Sequence, residues 1–469
     1  MKRLACVLLG LGLLAAACSS TDDTSPDTAS DGTAQAPATE AAAPTTTAAP
    51  TTTAAPTTTA APETTAAPET TAAPAPTTQA PAPATTAAST PKTTKAAEHA
   101  AEPIDRLSAA VLEWMDETGA PGVVLAVTRG GAEPLTFAWG VSDLATDTPM
   151  TPDHHVRIGS VTKSVTAAVV LQFVAEGRVE LDAPVAHYLG DDWASGYEHA
   201  ATVTVRDLLG HTSGFVEFAV DPRFFQLAAP RLNEPMTPEE ILEFAAAYGP
   251  VADLGTERHY NTTGYVAAGL LIEAVTGNPA ADEMRARVFD PLGLSHTYLT
   301  PSEFPPEPNA NGYVGGTFAY VLGPILGLTG DNKISLQGAI YVDIGTMPQE
   351  LARSAGWTGG GIEARIGDVA LLIRGLFAGE ILDASQIAVM TTGHPDPADN
   401  NGLGINTDEV MGLMVHSHGG GVPGFRTIAA HVPAFDLGIA ITANLLGIDG
   451  DNDVDELLVT LAPILATMG

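Results

Sequence analysis

Arg157-Ile158-Gly159-Ser160-Val161-Thr162-Lys163-Ser164 holds one of only two lysines that follow Glu98; the other is Lys333. The chain has 55 acidic residues against 20 basic ones and makes little use of lysine as a surface charge. Here a lysine stands three residues after a serine, at the head of an apolar run. Residues at i and i+3 share a helix face, so the amine is expected to reach the serine hydroxyl. Serine is a weak nucleophile until a base takes its proton, and a lysine held away from water gives up its charge readily enough to be that base. A lone Ser-x-x-Lys arises by chance about once or twice in a chain this long. The reading therefore needs support from other segments.

Working outward, Ser160 to Glu176 reads as a helix stopped by Gly177, with Val161, Val165, Ala168, Val169, Leu171 and Val174 facing inward and Ser160 as its cap. Ile104 to Thr118 has helical spacing. Gly122 to Thr128 and Leu135 to Val141 read as strands joined by Arg129-Gly130-Gly131. Val205 to about Phe289 reads as helices and loops, and Leu294 to Glu350 as a Gly- and Pro-rich loop region. Ile366 to Phe377 reads as a helix. Gly412 to Val415, Thr427 to His431 and Leu437 to Ala443 read as strands, and Val454 to Met468 as a closing helix. Strands at both ends with helices between predict an α/β (α+β) fold: one antiparallel sheet built from both chain ends and flanked by helices, plus an all-helical sub-domain. The α/β part is expected over about 103–160 and 365–469, and the helical part over about 161–364. The cleft between them is the expected site.

Residues 1–18 read as a secretory signal. Lys2 and Arg3 precede a Leu/Ala run that ends in Ala15-Ala16-Ala17-Cys18, a lipoprotein-type box. Cys18 is the expected lipidation site, with free secretion as the alternative. The only other cysteine, Cys6, would leave with the signal. Residues 19–102 are a Thr/Ala/Pro tract that cannot bury a core, and polyproline geometry gives such a tether a reach of about 250 Å. The expected location is extracytoplasmic, with membrane contact through the anchor alone. A formal charge of −35 argues against nucleic acid as a partner. His154-His155 and the pair His416/His418 lack carboxylate or cysteine partners at ligand spacing, so neither a metal nor another cofactor is expected.

Four further segments complete a pattern with the first. They are Thr204-Val205-Arg206-Asp207-Leu208-Leu209-Gly210-His211-Thr212-Ser213-Gly214, Tyr260-Asn261-Thr262-Thr263-Gly264-Tyr265, Pro291-Leu292-Gly293-Leu294, and His418-Gly419-Gly420-Gly421-Val422-Pro423-Gly424-Phe425. In this order they resemble the serine β-lactamase and penicillin-binding superfamily, in its branch of class C β-lactamases, D-alanyl-D-alanine carboxypeptidases and related esterases. The resemblance covers nearly all of residues 104 to 467 of the 103–469 domain. It implies a β-lactamase-like fold and an acyl-enzyme route. Ser160 would be the nucleophile, Lys163 its base, and Tyr260 a phenol that shuttles the proton to the leaving group. The backbone N–H groups of Ser160 and Gly421 would form the oxyanion hole, with Thr262, His418, Gly419 and Gly420 lining the substrate. His211 would be structural.

Three departures bear on the substrate. Thr262 replaces an amide. Gly419 stands where the strand motif often has a hydroxyl. Gly404-Ile405-Asn406-Thr407-Asp408 lacks an arginine, and Arg426 is the nearest substitute. An unpaired buried carboxylate costs several kcal/mol. The implied function is a surface-tethered serine hydrolase acting on a small-molecule or peptidoglycan-like peptide substrate, carboxypeptidase-like or β-lactamase-related. A carboxylesterase and a poorly catalytic penicillin-binding sensor are the alternatives. The absence of Gly-x-Ser-x-Gly argues against an α/β-hydrolase.

Overall fold

The structure is a computed structural model that describes residues 95–196, 199–315, 333–336, 339–346, 348–392, 401–447 and 454–468. The expected signal, Cys18 and most of the expected tether lie outside the described residues. The first helix among the described residues, Lys95–Thr118, begins inside the stretch read as tether. Its opening residues are mostly Ala with Lys and Glu, which are strong helix formers, and their composition masks this against the Thr/Ala/Pro background.

The main sheet has seven strands and runs antiparallel throughout. Its order is Asn406–Val410, Leu413–Val422, Phe425–Val432, Leu437–Ala443, Gly122–Arg129, Leu135–Asp143 and Thr148–Pro149. The two chain ends meet in its middle, with Val123 opposite Ala443 and Arg129 opposite Leu437. Leu437–Ala443 is buried along its whole length and Gly122–Arg129 along all but its last residue, because helices cover both faces. Val123, Leu125 and Val127 face a core shared with Leu107, Val111, Leu457 and Leu461 of the first and last helices. Val124 and Ala126 face the opposite core, which extends through the helical region. The helix Ile366–Phe377 lies so close on that side that a Cβ at Gly438 would stand 2.4 Å from the Ala370 carbonyl oxygen.

Thr162–Ala175 differs from the amphipathic helix its sequence predicts. Almost its whole circumference is buried, as expected where no charge follows Lys163 until Glu176. Nor does Ser160 cap it. Gly159–Val161 forms a short 3-10 turn before the helix, and the Ser160 hydroxyl is engaged by Lys163.

The region from Thr162 to Phe289 is helical, as predicted, but the all-helical reading does not extend to residue 364. Thr297–Leu299 and Ile362–Arg365 join His155–Arg157 in a three-stranded sheet. Tyr313–Gly315, Lys333–Leu336 and Ala339–Asp343 form another with Leu445–Leu446. These strands have two to five residues, too short for a period of two to stand out. The first small sheet matters for the site. It anchors the residues just before Ser160, and Ile158 N donates to the Ile362 carbonyl at 3.1 Å.

Candidate active site

Three glycines set how closely the serine segment meets the sheet. Gly159 has φ +53°, the left-handed region that glycine tolerates, and a Cβ there would stand 2.9 Å from Gly421 N. A Cβ on Gly420 would lie 1.9 Å from the Ile158 carbonyl oxygen. Gly420 thus packs against the nucleophile segment. The third, Gly421, lines the same cavity as Ser160. A Cβ on Gly419 would fit in ordinary contact, with the Arg426 guanidinium nearest at 3.8 Å.

Lys163 is fully buried one helical turn below Ser160. Its Nζ donates to Ser160 Oγ at 3.1 Å, Thr262 Oγ1 at 3.2 Å and the Gly359 carbonyl at 2.7 Å. The face of the Tyr260 ring lies 4.9 Å from Nζ, and that of Tyr265 5.5 Å. An ammonium has three protons, and all three find acceptors without the Tyr260 hydroxyl. Tyr260 therefore meets the lysine through its ring. The same ring lies 4.4 Å from the His211 ring, centroid to centroid.

His211, with φ +63°, accepts from Asn261 N at 3.2 Å through Nδ1, and burial pushes its pKa well down. Asn261 in turn holds the loop: its Oδ1 accepts from Gly264 N at 2.7 Å and its Nδ2 donates to the His259 carbonyl at 2.8 Å. Both residues build the turn that presents Tyr260 and Thr262. His418 is buried beside the lysine. Desolvation, then the charge of Lys163, push its pKa down to about 3, so its ring is neutral at ordinary pH, with Nδ1 2.6 Å from the Gly419 carbonyl. The sequence segments thus converge: Ser160, Lys163, Tyr260, Thr262 and His418 share one neighbourhood, and Gly420 and Gly421 form its wall.

Two contributors escaped the sequence reading. Glu217 accepts from Thr262 N at 2.6 Å and from Thr262 Oγ1 at 3.0 Å, both on Oε2. Burial pushes its carboxyl upward, while Lys163 and the hydrogen bonds pull the other way. A single charge inside Phe215-Val216-Glu217-Phe218-Ala219-Val220 was the available signal. The other is the Gly359 carbonyl, flagged only by the run Gly359-Gly360-Gly361. Beside Ser160 opens a cavity of about 230 Å³ with walls that include Phe218, Phe224, Phe225, Leu232, Leu351 and Val422. It is overwhelmingly apolar.

The model of the Beta-lactamase family matches residues 105–463 of this chain. Among curated proteins, the unguisins hydrolase ungD of Aspergillus violaceofuscus (strain CBS 115571) is 25% identical over 355 residues, covering 69% of this chain and 58% of that protein. The Beta-lactamase of Escherichia coli (strain K12) is 25% identical over 340 residues, covering 69% and 84%. Penicillin-binding protein 4 of Amycolatopsis lactamdurans is 35% identical over 183 residues, covering 39% and 46%. The chain spans roughly half to three-fifths of the length of the first curated relatives it matches. Among solved structures, a D-stereospecific amidohydrolase from Streptomyces sp. aligns with TM-score 0.61 at 28% identity, covering 77% of this chain and 98% of that one. The D-amino acid amidase from Ochrobactrum anthropi SV3 in complex with L-phenylalanine aligns with TM-score 0.65 at 25% identity, covering 78% and 100%.

Proposed function

Because the chain belongs to the β-lactamase family of serine hydrolases, we propose that it cleaves an amide or ester whose acyl part carries an apolar, phenyl-sized group. The observation that carries this reading is the cavity beside Ser160. Its volume of about 230 Å³ exceeds the ~150 Å³ that suffices for benzene in an apolar void. An aromatic or branched aliphatic group seated there brings its neighbouring carbonyl to the Ser160 hydroxyl. The related amidase solved with L-phenylalanine supports the same size and polarity of group.

In this reading Ser160 Oγ attacks the carbonyl, Lys163 takes the serine proton, and the backbone N–H groups of Ser160 and Gly421 stabilise the oxyanion. Lys163 returns the proton to the leaving amine or alcohol, with the Tyr260 ring holding the amine in place. Water then attacks the acyl-enzyme by the same route. Apolar walls oppose burial of a free carboxylate without a cationic partner, which places amide and ester hydrolysis ahead of carboxypeptidase action. Carboxypeptidase-like or β-lactamase-related activity is the second reading. It is favoured by Arg426, which pairs with Gly421 across the strands and lies within reach of the Gly419 face.

The test compares p-nitrophenyl acetate, p-nitrophenyl phenylacetate, D-phenylalanine amide and a D-alanyl-D-alanine dipeptide. Expected is a kcat/KM that rises with the apolar group, and an acyl adduct on wild type but not on Ser160→Ala by intact-protein mass spectrometry. Preference for the dipeptide with its free carboxylate would overturn the first reading in favour of the second. Tethering to the membrane through Cys18 and the Thr/Ala/Pro tract is proposed alongside. Labelling with radioactive palmitate that survives Cys18→Ser would refute it.

A further inference from the structure

The hydrogen bonds at Thr262 have a direction. Its hydroxyl has a single proton, and an ionised carboxylate has none to donate. With Glu217 Oε2 at 3.0 Å, that proton points to Glu217, and an oxygen lone pair faces Lys163 Nζ at 3.2 Å. Lys163 then places its three protons on Ser160 Oγ, Thr262 Oγ1 and the Gly359 carbonyl. In that state Ser160 Oγ accepts a hydrogen bond from its own base, so the base must first lose a proton. Lys163 is fully buried, which closes the direct path to water. The Thr262 hydroxyl, which bridges Nζ and Glu217, offers a path to a buried acceptor.

We propose that Glu217 is the proton reservoir of this site, drawing one proton from Lys163 through the Thr262 hydroxyl and leaving a neutral amine against Ser160. The step moves two protons, neutralises both end groups and leaves the total charge of the site unchanged. An N–H bond of Lys163 breaks as an O–H bond forms on Thr262, while the original Thr262 O–H breaks and an O–H forms on Glu217 Oε2. The neutral amine then accepts the Ser160 proton as Oγ attacks, passes it to the leaving group, and is neutral again for the attacking water. Glu217 keeps the spare proton through both half-reactions. It is a positioning residue, because it meets the reacting atoms only through Thr262 and Lys163.

The surroundings fit this task. Burial favours the neutral carboxyl at Glu217. Its second oxygen accepts from Ala219 N at 2.9 Å, which fixes the carboxyl plane. Of the other groups around the relay, His418 and His211 are held neutral by burial, and burial likewise favours the neutral phenol of Tyr265. Over neutral pH the exchange is left to Lys163 and Glu217, beside the Tyr260 ring. The substitution of a hydroxyl for the family's amide at 262 also becomes intelligible. A hydroxyl accepts one proton while releasing another, whereas an amide only donates and accepts hydrogen bonds.

The proposal rests on Ser160 being the nucleophile, so the experiment reads both separately. A small fluorophosphonate phosphonylates an activated serine without needing a fitted substrate. Its labelling rate at Ser160 is followed by mass spectrometry from pH 5 to 10 for wild type, Glu217→Gln, Thr262→Val, Thr262→Ser and the double variant Glu217→Gln/Thr262→Val. Thermal melts accompany each. Expected is a flat rate across neutral pH in wild type, because the exchange between Lys163 and Glu217 leaves net protonation unchanged. Glu217→Gln, which keeps the acceptor for Ala219 N, labels about 100-fold more slowly at pH 7, in line with the worth of a positioned acid or base. Its rate climbs with pH, since the amine must now lose its proton to solvent by way of the Ser160 and Thr262 hydroxyls at the cavity wall. Thr262→Val shows the same loss, Thr262→Ser recovers most of it, and the double variant loses nothing more. A Glu217→Gln enzyme with the wild-type rate and profile overturns the relay alone. Failure of wild type to label at Ser160 overturns the nucleophile and the relay together.

Discussion

A methyl group on Gly420 would stand 1.9 Å from the Ile158 carbonyl oxygen, far inside any real contact. Relief means moving the serine segment away from the strand that carries Gly421 N. Gly420→Ala is therefore expected to lower kcat/KM by at least about 100-fold, the size of effect seen when one oxyanion donor is lost. The check is steady-state kinetics on an activated ester. Lys163→Met, which keeps the apolar stem and removes the amine, is expected to abolish acylation by the same ester, followed by mass spectrometry. At this scale the sequence was informative about Ser160, Lys163 and Thr262, because each sits in a short motif. Glu217 and the Gly359 carbonyl were not legible. Their contacts, with Thr262 and with Lys163, cross 45 and 196 positions of the chain. The role of a backbone carbonyl leaves little trace in residue identity.

The elements that hold these atoms are coupled through tight packing. Helix Thr263–Thr276 meets the short helix Trp357–Gly360 at Gly269, where a Cβ would stand 2.3 Å from Thr358 Oγ1. That short helix carries the Gly359 carbonyl. Gly269→Ala is expected to shift it, lengthen the Lys163 contact and reduce the acylation rate about 10-fold or more, since ångström misplacements have effects of this order. The strand before Ser160 is pinned by charge. Arg157 and Arg353 flank Glu363 at 3.4 and 2.8 Å, and Glu363 and Arg157 are almost wholly buried. Glu363→Gln leaves two guanidinium groups without their counter-ion and is expected to cost about 3 to 5 kcal/mol in urea unfolding. The long helices and the strands of the main sheet were readable because each spans several periods of its pattern. Helix Thr162–Ala175 was read as one-sided because apolar residues were counted, while its small polar residues Thr162, Ser164 and Thr166 are buried too. They donate to backbone carbonyls of neighbouring segments, which removes the penalty of burying them.

Across the whole molecule, stability depends on histidines kept neutral. His416 titrates at about 4 in the fold because burial, then the neighbouring His431, disfavour its charge. Its ordinary value is near 6.5, so between those limits the unfolded chain holds the extra proton. The contribution is complete above pH 6.5 and is lost as the pH falls to about 4, at up to about 1.4 kcal/mol per unit. His416→Gln is expected to flatten the pH dependence of the urea midpoint in that window, measured against wild type. At this level the sequence disclosed the order of parts, because strands bracket a helical middle. It did not disclose the two small sheets, whose strands are too short to show a pattern and pair across distant positions.

The central pair of strands, Gly122–Arg129 and Leu437–Ala443, is separated by some three hundred residues. A ribosome must therefore add some three hundred residues before the early strand acquires the second of its two sheet neighbours. Until then Val123, Leu125 and Val127 lack the part of their cover that Leu457 and Leu461 supply, and a nascent chain halted short of Leu437 cannot close its scaffold. Such a topology makes truncations that remove Leu437–Ala443 far more damaging than their length suggests.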